Sequence, residues 1–134
     1  MRWINVGAAL SGLVALVMLV LASHALNPAP HDLERIRMAA YLQLFSACAG
    51  LAIANRTGRI NLIAGALILA GATLFAAALY THAVAHSNAI VMLAPVGGVS
   101  MIVGWALLAF TTMPTLSIRS KLFFATKFPF ITTV

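Results

Sequence analysis

Apolar positions fall along this chain in four long runs separated by short polar breaks. The first runs from Trp3 to Leu26, the second from Met38 to Ala54, the third from about Ile60 to Ala85 and the fourth from about Ala89 to Phe110. No Asp, Glu, Lys or Arg occurs anywhere from Ile60 to Ile118. That interval is far longer than the roughly 20 apolar residues one spanning helix needs, so it crosses a bilayer twice. The second run rises only about 26 Å as a helix, barely enough for a hydrocarbon core of about 30 Å, and is expected to stand nearly upright. The pattern predicts an all-α fold: an integral membrane four-helix bundle over residues 1–113, followed by a basic, aromatic cytoplasmic tail over 114–134.

The breaks are informative. LASHALNPAPHDLERIR, residues 21–37, holds Asp32 and Glu34, the only acids of the chain. Ser23-His24-Ala25 resembles a small-x-small cleavage site, but the apolar run before it is longer than the usual 7–15 residues of a signal h-region, so a retained helix is expected. Pro28 pushes Asn27 out of the α region and ends the first helix, while Pro30 can start the second. Asp32 and Glu34 then fall in the opening turn of a capped helix, where carboxylates meet unpaired N–H groups, and Arg35 is spaced for a surface ion pair with Asp32. Between the third and fourth runs only His86-Ser87-Asn88 intervenes, as befits antiparallel neighbours. Pro95 removes an N–H in the fourth run and predicts a kink or a late helix start.

Composition changes the picture in one direction. Hydrophobic residues make up 63% of the 134 positions and charged residues 7%, against roughly 45–50% and 25% in soluble domains. The net charge of +6 is carried by residues that flank apolar runs instead of gathering on a water-exposed face, which argues against nucleic acid as a partner. Arg2, Arg56, Arg59, Arg119, Lys121 and Lys127 fall on one side of a four-span topology and only Arg35 and Arg37 on the other. The positive-inside rule then puts both termini in the cytoplasm, with a bacterial inner membrane the expected location. The lone Cys48 has no second thiol and no nearby charge, and reads as packing.

Helices in lipid associate through close packing at small residues. Each span offers such a stripe: Gly7, Ser11 and Ala15 in the first; Ser46, Gly50 and Ala54 in the second; Ala66 and Ala70 in the third; Ala94 with Gly98 and Ser100 with Gly104 in the fourth. Gly7, Ser11, Gly50, Gly98 and Gly104 are the packing residues singled out.

Candidate chemistry is confined to histidines. His24, His31, His82 and His86 all fall on the predicted outer side, and His82 and His86 are four residues apart on one helical face. Such spacing suits a metal ion, with His31 as a third donor. His24 and His82, at similar depth on different helices, are the alternative pair for a cofactor such as haem. Histidines at an interface also hydrogen-bond to loops and headgroups without binding anything. No P-loop, zinc-protease or serine-nucleophile motif appears, so enzyme activity is not expected. The spans lack the acidic and basic residues that mark proton-driven pumps. The functional expectation is a structural or accessory protein that packs in, or assembles, a larger complex of membrane subunits. The alternatives are a histidine-based metal or haem protein and a small-molecule carrier.

Several residues carry a family resemblance: His24-Ala25-Leu26, Gln43-Leu44-Phe45, Leu74-Phe75, Leu79-Tyr80, Pro95-Val96-Gly97-Gly98 and Gly104-Trp105. In order and separation, over about residues 5–110, the chain resembles the YgdD-like small membrane proteins, also called domain of unknown function 423. The resemblance implies a four-helix integral membrane protein without an established activity. This chain departs from the family at Leu19 to Ser23, where relatives are Gly-rich, and at Ser46 and Ala94, where histidine and threonine are common. His82, His86 and the tail lie outside the family pattern.

Overall fold

The computed structural model describes residues 2–26 and 28–112; the tail over 114–134 lies outside them. Four helices follow in order: α1 (Arg2–His24), α2 (Pro30–Ala54), α3 (Arg59–Ala85) and α4 (Ala94–Thr112), the last preceded by a 3₁₀ turn, Val91–Leu93. All four are long and apolar enough to cross a membrane.

Local chemistry sets the ends. α1 closes with the N–H groups of Ala25 and Leu26 both bonding to the Leu21 carbonyl at 2.9 Å, and Pro28 follows. Pro30 opens α2, its missing N–H being one that a first turn leaves unpaired anyway. The second helix therefore begins well before its apolar run and has 25 residues. At about 37 Å it is longer than a span, but its first eight residues carry Asp32, Glu34, Arg35 and Arg37, and the apolar stretch remains Met38–Ala54. Gly58, at φ 121°, reverses the chain between α2 and α3 in a conformation that side chains disfavour. α3 stops where His86 takes a left-handed φ of 50°, a position helices usually give to glycine. The helical path resumes at the 3₁₀ turn, and Pro95 sits in the first turn of α4, so its effect is a late start and not a kink.

The helices pack in chain order, α1 on α2, α2 on α3 and α3 on α4, with α1 also reaching α3. Neighbours run antiparallel. Ile36 clusters with Ala83 toward one end of the α2–α3 pair, and Ile53 meets Gly65 near the other. α2 and α3 are central, with 44% and 39% of their spanning windows buried, against 17% for α1 and for α4. The outward faces of the flanking helices are Leu, Val, Ile, Trp and Phe, which lipid tails solvate without cost.

Where α1, α2 and α3 converge, beside the α1–α2 connection, Ala22, Ile36 and Ala83 form a buried cluster against Met18, Leu33 and Tyr80. The α1–α2 and α3–α4 connections share this end. The start of α1, the α2–α3 turn and the end of α4 share the other.

Candidate functional site

Two features stand out from the lipid-facing surface: a polar recess at the connection end and an uncovered groove between α1 and α3. The recess, about 250 Å³, lies over the buried cluster. Ile36, Ala83 and Val84 give it apolar walls, Leu26, Pro28 and Ala29 border it from the α1–α2 connection, and Asp32 and His86 bring charge and hydrogen-bonding capacity.

Asp32 is the unexpected member. A capped helix start would leave it at the surface, yet Ala29 is the N-cap, no side chain caps the helix, and Asp32 is only 3% exposed. Glu34, in the same opening stretch, is exposed. The carboxylate is held by Arg35, whose Nη1 donates to Oδ1 at 3.0 Å, and His31 Nε2 lies 3.3 Å from Oδ2. A buried carboxylate must be paired to remain charged, and the pair with Arg35 meets that need. The ion pair expected at the surface is thus one-sided: Arg35 reaches water while Asp32 does not.

The histidines divide. His24 is exposed at the last residue of α1, His31 is exposed in the first turn of α2, and His86 is exposed at the recess. His82 is partly buried, and its Nδ1 is buried without a hydrogen-bond partner among the described residues. Among the described residues no three His, Cys, Asp or Glu side chains gather as a group able to hold a metal ion. The structure therefore brings His31 to Asp32 and His86 to the recess, and it does not assemble His31, His82 and His86 into one donor set.

The packing residues also sort. Gly50 is buried beneath Leu69, and Gly104 is buried against Ile68 and the Ala64 carbonyl. Ser11 is buried in α1, its hydroxyl unpartnered. Gly7 and Gly98 differ from expectation, for a Cβ on either would meet nothing within 4 Å. In α4 the contact falls on Gly97, one residue and about 100° around the helix from Gly98. A Cβ on Gly97 would lie 2.6 Å from the Gly71 carbonyl, and one on Gly71 would lie 2.7 Å from the Gly97 carbonyl. In α3 the small-residue face is accordingly Gly71 with Ala64 and Ala72, while Ala66 and Ala70 look outward.

Polar side chains join α2 to α3, α3 to α4 and, through Ser46 and Met101, α2 to α4. The Tyr80 hydroxyl donates to Gln43 Oε1 at 3.0 Å, Ser100 donates to the Leu67 carbonyl at 3.0 Å, and Ser46 donates to Met101 Sδ at 3.7 Å. Gln43, 2% exposed, was readable only as a motif residue. Its being the one amide within the apolar run of α2 was the available signal, since a polar group within a span needs an internal partner.

The second feature is a groove of about 460 Å³ between α1 and α3. Its floor is small or short: Gly7, Ala70, Thr73 and Ala77, with Leu69 and Leu74 beside them. This is where Gly7, with open space about it, and exposed Ala70 are found.

Four apolar antiparallel helices with interfaces of glycine, alanine and short polar side chains define a small multi-pass membrane protein. The chain belongs to the family described as Protein of unknown function (DUF423), which matches residues 13–98. No curated protein and no solved structure matches it.

Proposed function

We propose that the protein is a non-catalytic accessory subunit of a larger membrane complex, oriented with its termini in the cytoplasm of a bacterial inner membrane. The observation that carries the reading is the groove between α1 and α3. Elsewhere in the bundle, faces built from glycine and alanine are covered by a neighbouring helix: Gly50 by α3, and Gly71 by α4. The groove of Gly7, Ala70, Thr73 and Ala77 has the same chemistry and no helix of the described chain upon it. In lipid, close approach of backbones at such residues is what makes two helices associate, so a spanning helix of another subunit is the occupant that fits. Orientation rests on the charges: Arg2, Arg56 and Arg59 lie at one end of the bundle and Arg35 and Arg37 at the other.

The test is purification in mild detergent after cross-linking in the native membrane, with wild type beside Ala70→Leu. Ala70 is exposed, so the leucine fills the groove without disturbing the internal packing. A stoichiometric membrane partner that Ala70→Leu releases supports the reading. A lone monomer in both samples, or a partner retained equally by both, sinks it. Labelling of a cysteine introduced as Arg2→Cys or Arg37→Cys, each with Cys48→Ala, reports orientation independently.

A further inference from the structure

The recess over Asp32 poses a physical question that an accessory role does not answer. A carboxylate at a helix start gains its favourable interaction with the helix N-terminus while remaining in water. Asp32 is instead turned inward, beside about 250 Å³ that no side chain of the described residues fills. That volume equals roughly eight liquid waters. The recess opens to the surface between exposed Leu26, Val84 and His86, and a charged wall makes it suited to a polar occupant.

We propose that this recess binds a zwitterion made of a primary ammonium and a phosphate, the phosphoethanolamine group carried by aminophospholipids. The charge arrangement selects the class. Asp32 and Arg35 form a neutral pair, so an isolated cation or anion would leave net charge in a partly buried site, whereas a zwitterion lies against the pair with each charge opposite its complement. Each oxygen of Asp32 faces one protein partner, Arg35 or His31, and each retains acceptor capacity for an ammonium N–H. Arg35 is not among the residues that line the recess; it commits one nitrogen to Asp32, and the rest of its donor fork, on a side chain that reaches solvent, is free for a phosphate lying at the mouth. His86, held at the rim in its left-handed turn, offers a further ring nitrogen. Ile36 and Val84 supply apolar wall for the ethylene carbons. A quaternary ammonium lacks the N–H donors that Asp32 would accept, and among the described residues no Trp, Tyr or Phe lines the recess to hold it by its ring face. The recess also lies where the helices end, at headgroup depth.

The full chain, reconstituted in nanodiscs of phosphatidylcholine doped with phosphatidylethanolamine, is released into a native mass spectrometer and the retained lipid identified. Phosphatidylethanolamine is expected to be retained about tenfold over phosphatidylcholine, the scale of one charge-assisted hydrogen bond. Asp32→Asn should abolish the preference. Val84→Phe, a change at a half-exposed wall residue, should reduce it by occupying the recess, and it decides the matter if Asp32→Asn fails to fold. Soluble sn-glycero-3-phosphoethanolamine, which keeps the phosphodiester and the ammonium without the acyl chains, titrated into discs of phosphatidylcholine alone, separates the two sources of this chemistry. Saturable binding lost in Val84→Phe assigns a free phosphodiester, and retention of the lipid without it assigns the membrane. Equal retention of both lipids together with no binding of the soluble compound, or a preference that survives both substitutions, overturns the proposal and leaves the recess to water.

Discussion

Between α3 and α4 the backbones themselves touch. A Cβ on Gly97 would lie 2.6 Å from the Gly71 carbonyl and 2.7 Å from the Phe75 nitrogen, and two turns further on a Cβ on Gly104 would lie 3.0 Å from the Ala64 carbonyl and from the Ile68 backbone nitrogen. Between α1 and α2 the contact is made by side chains. Ala8, Ser11, Ala15 and Ala22 recur along one face of α1 at spacings of three, four and seven, and a Cβ on the one α1 glycine near the seam, Gly12, would lie 3.5 Å from Ala47 Cβ, an ordinary contact. Both interfaces use small residues, yet only the first needs glycine. The difference teaches that a small residue in a span has two separable roles, permitting backbone contact or leaving a face shallow enough for another side chain.

Substitutions at glycine turn that contrast into measurements of the full chain's unfolding in detergent. Gly97→Ala carries the largest expected cost, about 2–3 kcal/mol, because the atoms in the way are backbone of α3 and overpacking can be relieved only by moving a helix. Loss of stability below about 0.5 kcal/mol would show that α4 shifts freely and that the close seam is not a constraint. Gly50→Ala should cost less, about 1 kcal/mol: its obstacle is the Leu69 side chain at 2.8 Å, which can change rotamer. A cost equal to that of Gly97→Ala would erase the distinction between backbone and side-chain obstruction.

Tyr80→Phe should cost about 0.6–1 kcal/mol by leaving Gln43 Oε1 without its interhelical donor, the scale found for hydrogen bonds between spanning helices. The double variant with Gln43→Leu should cost less than the sum of the single changes, and strict additivity would mean that the pair is not energetically coupled. Gly7→Ala stands at the other extreme. With nothing within 4 Å and helix propensity in its favour, it should be neutral or stabilising by up to about 1 kcal/mol. In the native membrane, where a partner helix is proposed to cover the groove, the same substitution should weaken association. A destabilised isolated protein would instead place Gly7 within the fold.

The candidate site was only partly legible. His24, His31, His82 and His86 were visible as residues, and their common end of the bundle follows from alternating antiparallel helices. That His86 and Asp32 border one recess while His82 is left with a buried, unpartnered Nδ1 depends on helix rotation, which spacing along one helix does not specify. The small-residue stripes misplaced α4 by one residue, Gly98 for Gly97, and chose Ala66 and Ala70 in α3 where Gly71 makes the contact. Both glycines of a Gly-Gly pair satisfy a spacing rule equally well. Only the neighbouring helix distinguishes them.

The amino-acid sequence by itself determined that the chain is a set of four spans and nearly where each begins and ends. The reason is that bilayer thickness and the cost of unpaired backbone in hydrocarbon impose length, while Pro28, Pro30, Gly58 and Pro95 punctuate it. Tertiary structure decided which face of each span meets protein and which meets lipid, and so buried Asp32 beside a recess, joined Tyr80 to Gln43 and left the Gly7 groove open. Lipid tails and leucine side chains are equally apolar. The hydrophobic pattern that marks a core in water is therefore absent here, and the inward face is fixed by fit between helices alone.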